Sequence, residues 1–479
     1  MLRHSIYYFG IRAINGAIGL ASIYILTRLL SAEQYGLYAL GLASINVGAS
    51  VLFQWLNAGV SRLYASHTGH LSQFFIEVSR LFKYASSVGL IIFIIWLVVR
   101  PEGAVSIELS IIIALGALSM GAYNLHLQIH NARSSPLQYG MLATSRAAFV
   151  LALASSAALA GFGANGALLG VGVGATIATY LFRNRWENLP SGHEHNKNIR
   201  PQIIKYGTPL ALTYAATMVI DVSDRFLIGW LYGPSSVGGY SASYDLTQQT
   251  VGVLLNVFFL SAFPKIVKTW ESNGPKATSQ SVRPLAYILL FLAGLLVGVF
   301  IALTEEIVTF AIGPELRKDA ILVMPWVAAA IAVGCIKGYL FDIPLQLEKR
   351  TGTLVKITLT MATINLALNL ILLPKIGILG SAISAAIAFS TGAGLSYFAG
   401  RGANLIPPIL IDSIKILFSM AVMYLFFKFL PKNTMIEINL PLLLLIKMAV
   451  GVLVFTIAAI LTDFGSLRDK MLSIIKSYR

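Results

Sequence analysis

Asp221, Asp224 and Arg225 interrupt a long apolar stretch, and the next stretch carries Asp245, Gln248, Gln249 and Asn256. On a helix Asp221 and Asp224 share a face, Arg225 falls one turn after Asp221, and Asp245 lies over Gln249. Burial and a neighbouring guanidinium act on a carboxylate's proton affinity in opposite senses, the balance that loading and release of a proton require. Two chemistries therefore fit these residues. One is a buried polar network that holds two helices together. The other is reversible binding of a proton or sodium ion at Asp221 or Asp245, with Asp224 and Arg225 setting the local charge.

Other polar residues lie in apolar runs, where a charge costs about 2.5–3.5 kcal/mol on insertion scales and so faces a cavity or a partner. Arg12 and Asn15 share a face of the first run. Arg12 either lines a cavity or extends toward the cytoplasm, whereas Arg28, near the far end of the same run, reads as snorkelling to headgroups. Arg146, Lys337 and Asp342 are further cavity candidates. His126 and His130 share a face, but no third ligand accompanies them at metal spacing, so a polar helix contact is expected. Asn365 and Asn369 read as packing residues.

The elements that must position these residues are membrane helices. Only 11% of the residues are charged, mean hydropathy is +0.76, and a run of roughly 20 apolar residues spans a bilayer. About fourteen such runs occur, at roughly 5–30, 36–60, 81–99, 107–130, 141–161, 164–183 and 206–232, then 237–263, 284–304, 321–343, 355–373, 378–400, 410–430 and 439–462. The first is too long for a signal-peptide core and is expected to be retained. Lys and Arg cluster in every second break, among them Arg62, Arg80, Lys83, Arg133, Lys265, Lys268, Lys349 and Arg350. The alternate breaks are nearly bare: Ser31–Tyr35, Gly161–Ala164 and Gly233–Val237 contain none, and only Arg100, Arg317, Lys318, Lys375 and Lys432 fall on that side. The basic side is therefore expected to be cytoplasmic, with both termini on it. This asymmetry also accounts for the +15 net charge, and nucleic acid is not an expected partner.

Two turn patterns recur about 200 positions apart. Gly36 with Tyr38 is echoed by Gly238 with Tyr240, and Gly163-Ala-Asn-Gly166 by Gly377-Ile-Leu-Gly380. A six-helix unit used twice in parallel would produce both echoes. The expected organisation is a six-helix lobe at 1–183, a cytoplasmic linker at 184–205 and a second six-helix lobe at 206–400. An accessory helix pair and tail follow at 401–479. The fold class is thus an all-α, polytopic membrane protein of about 14 helices.

No phosphate-binding G-x-x-x-x-G-K-[ST] loop, catalytic triad or zinc-protease helix occurs, and the single Cys335 offers no metal cluster. No enzyme activity and no cofactor are expected beyond a coupling proton or sodium ion. A polytopic glycan-assembly enzyme would bring a large outer loop, whereas the longest here is about 17 residues, Thr304–Ala320.

The segment Leu26-Thr-Arg28-Leu-Leu-Ser-Ala-Glu-Gln-Tyr-Gly36-Leu-Tyr38 resembles the early signature of bacterial polysaccharide (Wzx-type) flippases. So do Asp224-Arg225-Phe-Leu-Ile-Gly229 with Val237-Gly-Gly-Tyr240, and Pro374-Lys-Ile-Gly377-Ile-Leu-Gly380-Ser. These flippases belong to a superfamily with multidrug extruders and the lipid II flippase. The resemblance implies movement of an undecaprenyl-diphosphate-linked oligosaccharide, of the O-antigen or exopolysaccharide kind, from the cytoplasmic to the periplasmic leaflet of the inner membrane. It implies as partners that lipid-linked oligosaccharide, membrane lipids, and the polysaccharide polymerase and chain-length machinery. A diphosphate would engage cationic forks, so Arg12, Asn15, Arg146 and Lys337 are the expected substrate-binding residues. A multidrug cation antiporter of the same superfamily is the alternative, normally with twelve helices.

Overall fold

The computed structural model describes residues 2–99, 106–182, 199–430 and 439–466. Residues 184–198 of the expected linker and 467–479 of the expected tail lie outside them. The described chain is helical throughout, without strands. Its long helices are α1 (Leu2–Leu29), α2 (Ala32–Leu63), α3 (Leu71–Val99), α4 (Ile107–Ala132), α5 (Pro136–Leu159), α6 (Gly163–Phe182) and α7 (Ile199–Tyr232). After α8 (Pro234–Thr247) come α9 (Val253–Ala302), the short α10 (Thr304–Ala311), α11 (Arg317–Ile336) and α12 (Ile343–Leu347). The chain continues with α13 (Thr351–Ile376), α14 (Ile378–Gly400), α15 (Leu410–Phe429) and α16 (Leu440–Leu461).

Twelve helical segments among the described residues are long and apolar enough to cross a membrane. One of them, Pro234–Ala302, breaks at Gly274, where φ is 73°. The two arms of α9 face one another across a cavity of about 460 Å³ lined by Lys265, Thr269, Gln280 and Pro284. That segment thus supplies two of the expected spans, and α7 supplies a further one. Every span expected from the sequence finds a helix, and the protein is a multi-pass membrane protein.

The helices form two compact units, Met1–Gly238 and Gly239–Arg479. In the first, α2 is the central element. Ser31 caps it in a reciprocal box with Gln34, and its buried face carries Tyr35, Ile45, Phe53, Leu56 and Val60. It packs on α4 and along α7. α7, expected from the sequence to open the second lobe, thus lies against α2 in the first unit. Small residues permit that approach: a side chain at Gly207 would meet the Trp55 carbonyl and one at Gly59 the Ile203 side chain, while one at Gly36 would meet the Pro234 carbonyl at the start of α8. At the opposite end of α2 from Gly36, Leu56, Val60, Phe74, Phe75, Ile129, Ile199 and Ile203 form a buried cluster.

Two hairpins repeat one construction. α5 and α6 join through Gly163 at φ 55°, and α13 and α14 through Gly377 at φ 66°, a conformation that glycine alone adopts cheaply. In the second unit α11 gives way to a π-helical turn, Lys337–Phe341, and α8 to another, Gln248–Gly252. α15 packs on α9, with Ile416 against Gly294 and Met423 against Gly298.

Candidate functional site

In the first unit the expected substrate-binding residues lie on adjacent helices, since α1 packs along α5. Arg12 is part-buried and engaged in an interaction. The Asn15 Oδ1 is buried without a hydrogen-bond partner. Arg146, on α5, places its guanidinium over the Tyr123 ring at 4.8 Å, and its Nε is buried with no partner. Tyr123 itself belongs to the core formed with Leu142, Ala175 and Ala178. Asn15 and Arg146 therefore hold unused hydrogen-bonding capacity inside the unit, where an unmade bond costs about 1–3 kcal/mol.

α7 carries Asp221, Asp224 and Arg225 close together. Asp224 and Arg225 are 4% and 8% exposed, both are engaged in interactions, and Asp221 lies within electrostatic reach of both. Asp245, on α8, is part-buried, engaged, and belongs to the second unit. The structure thus groups the three α7 charges and assigns Asp245 to a different unit.

Lys337 has a partner of its own. Its Nζ donates to the Asp342 Oδ2 at 2.8 Å, both side chains being about 10% exposed. The Asp342 Oδ1 is buried without a partner. Beside this pair the Asn256 Nδ2 donates to the Tyr339 hydroxyl at 2.9 Å, and Phe259 stacks on Tyr339. The expected cation of this region is a buried ion pair in a polar patch between α9 and the π-helical turn.

The remaining polar candidates serve packing. His130 bonds the Phe182 carbonyl and the Gln138 side chain, both at 3.1 Å, tying α4 to α6 and α5. Asn369 accepts from the Ser381 hydroxyl at 2.6 Å across the α13–α14 hairpin. Among the described residues no group of three or more metal-ligating side chains occurs.

Two charged groups escaped the sequence reading. Lys447, within α16, pairs with Glu306 of α10 at 2.5 Å. Lys415 of α15 lies 3.5 Å from Asp412 and donates to the Asp463 carbonyl at 2.8 Å. The signal for Lys447 was available, as a lone lysine in the run Leu440–Leu461 needs a partner.

The family of polysaccharide biosynthesis proteins matches residues 1–270. The chain belongs to this family. No match occurs among curated proteins. Among solved structures, the lipid II flippase MurJ in an inward closed conformation is 16% identical with a TM-score of 0.74, covering 98% of this chain and 100% of that one. A multidrug resistance MATE family transporter of the MOP superfamily, inward-facing, is 14% identical with a TM-score of 0.59, covering 83% of this chain and 97% of that one. An outward-facing MATE transporter reaches 0.57 at 13% identity, covering 84% and 94%. The fold of this family member is therefore that of MurJ and MATE transporters. These similar structures are transporters and a flippase rather than enzymes.

Proposed function

We propose that the protein flips an undecaprenyl-diphosphate-linked oligosaccharide from the cytoplasmic to the periplasmic leaflet of the inner membrane by alternating access. The observation that carries this reading is membership of a polysaccharide biosynthesis family together with a whole-length likeness to the fold of a lipid II flippase. In the proposed cycle Arg12, Asn15 and Arg146 engage the diphosphate and the first sugar, with Lys337 freed to do so when its pair with Asp342 opens. Arg146 and Asn15 suit this role because each holds a buried polar atom with no protein partner. The lobes are 1–183 and 206–400, joined by 184–205, with 401–479 accessory and both termini cytoplasmic. The seam between α2 and α7 is then a contact between lobes that must part during the cycle.

A proton or sodium ion at Asp221 or Asp245, with Asp224 and Arg225 tuning the charge, resets the carrier through different affinity for its two states. The polysaccharide polymerase and chain-length machinery receive the product. A multidrug cation exporter is the second reading, favoured by the MATE-like fold. The MATE structures leave about a sixth of this chain uncovered, as an accessory helix pair would require.

The test is surface polysaccharide at matched protein abundance. Arg12→Ala should impair it strongly, and Arg12→Lys should recover only part, because an ammonium keeps the charge and loses the two-pronged grip. Normal polysaccharide in Arg12→Ala would remove Arg12 from the diphosphate site.

A further inference from the structure

At the end of the second unit where α9 passes into α10, a cavity of about 510 Å³ lies between those helices and α11, α15 and α16. Its size falls within the roughly 300–1,000 Å³ of small-molecule sites. Its wall carries charges of both signs: Glu305 and Glu306 on α10, Lys428 on α15 and Lys447 on α16.

The floor is the Lys447–Glu306 pair, each side chain about a quarter exposed. Lys447 lies two turns into α16, roughly 10 Å along its axis, at a depth where an unpaired ammonium is costly. The pair therefore fixes α16 to α10 and leaves the other two charges for a ligand. Glu305 is exposed and forms no ion pair among the described residues. Lys428 is exposed as well, its ammonium 5.9 Å from the Tyr424 ring. Phe427 completes an aromatic wall with Tyr424.

A ligand of a single sign would meet repulsion here. An anion drawn to Lys428 would face the Glu305 carboxylate, and a cation drawn to Glu305 would face the Lys428 ammonium. The matching ligand carries both signs. Outside the cavity, α15 and α16 present Leu425, Phe426, Phe429, Leu442 and Leu445 with 40–77% exposure, a surface suited to acyl chains. We propose that this cavity holds the headgroup of a zwitterionic phospholipid of the phosphatidylethanolamine type. Lys428 receives the phosphate, a charge-assisted contact. Glu305 receives the ammonium, a second charge-assisted contact. The bound lipid would wedge α15 and α16 against the rest of the second unit. The inference does not depend on which substrate is flipped.

The experiment uses the full chain in nanodiscs of equal phosphatidylethanolamine and phosphatidylglycerol content, with retained lipids read by native mass spectrometry. Phosphatidylethanolamine should be retained over phosphatidylglycerol. Lys428→Gln and Glu305→Gln should each lower that retention roughly tenfold, the loss expected of one charge-assisted contact. Both side chains are exposed, so thermal stability in detergent should not change, which separates lost binding from lost folding. Free O-phosphoethanolamine at millimolar concentration should not bind measurably, since it lacks the chains that the outer face covers. Equal retention of the two lipids would overturn the proposal, as would wild-type retention in both variants. Tight binding of the free headgroup would overturn a membrane lipid as its source.

Discussion

Removing one partner of the Lys337–Asp342 pair should destabilise the second unit far more than removing both. At 2.8 Å and an effective dielectric of about 20, the attraction is about 6 kcal/mol. Desolvation of two buried ions offsets most of it. The offset is larger still here, because the Asp342 Oδ1 has no partner and part of the carboxylate's lost hydration is unreplaced. Asp342→Asn leaves the Lys337 ammonium buried without its counter-charge, at a cost of about 3–5 kcal/mol. Lys337→Met combined with Asp342→Leu removes both charges and should lie within about 1 kcal/mol of wild type, or above it. The assay is equilibrium unfolding in SDS-containing mixed micelles, followed through tryptophan fluorescence, in wild type, the single variant and the double variant. A cost below about 1 kcal/mol for Asp342→Asn would refute the buried pair. So would a double variant as unstable as the single one.

Gly36→Val should hinder packing of α2 against the α7–α8 junction, because the added side chain meets the rigid Pro234 carbonyl at the start of α8. A cost of about 1–3 kcal/mol corresponds to a roughly 5–150-fold loss of the closed state. Disulfide formation between cysteines introduced at Leu40 and Gly229 would report it in a Cys335→Ser background; unchanged cross-linking would count against the seam. At least one of Asp245→Asn and Asp221→Asn, which each remove a titratable proton at nearly constant shape, should abolish ion-driven transport in proteoliposomes while substrate binding remains measurable. Asp221→Asn also strips Arg225 of a nearby countercharge. Normal transport and unchanged gradient response in both variants would make these aspartates structural.

The membrane spans were legible because each needs only an unbroken apolar run, and the glycine turns at Gly163 and Gly377 because positive φ selects residue type. The partners of the charges were less legible. Lys337 and Asp342 are five residues apart, which on an α-helix leaves them about 140° from facing one another. The π-helical turn closes that angle, with the Asp342 amide bonded to the Lys337 carbonyl at 2.9 Å. A reading by α-helical period sees two unrelated charges. Lys447 and Glu306 are 141 residues apart, so only the packing of α16 on α10 reveals their pairing. Likewise, internal repetition assigns α7 to the second lobe. Its packing along α2 rests on close approaches of Gly59 to Ile203 and of Gly207 to Trp55, and no local pattern encodes those pairings.

The most direct test of the flippase reading is reconstitution. Purified protein is placed in liposomes holding a fluorescent undecaprenyl-diphosphate-linked oligosaccharide in both leaflets, and a membrane-impermeant reagent quenches the outer one. The account predicts that quenching proceeds beyond the outer-leaflet half only when the protein is present, and that Arg12→Ala slows it. Failure to move this lipid, with efflux of organic cations from the same liposomes, would contradict it and favour the multidrug exporter.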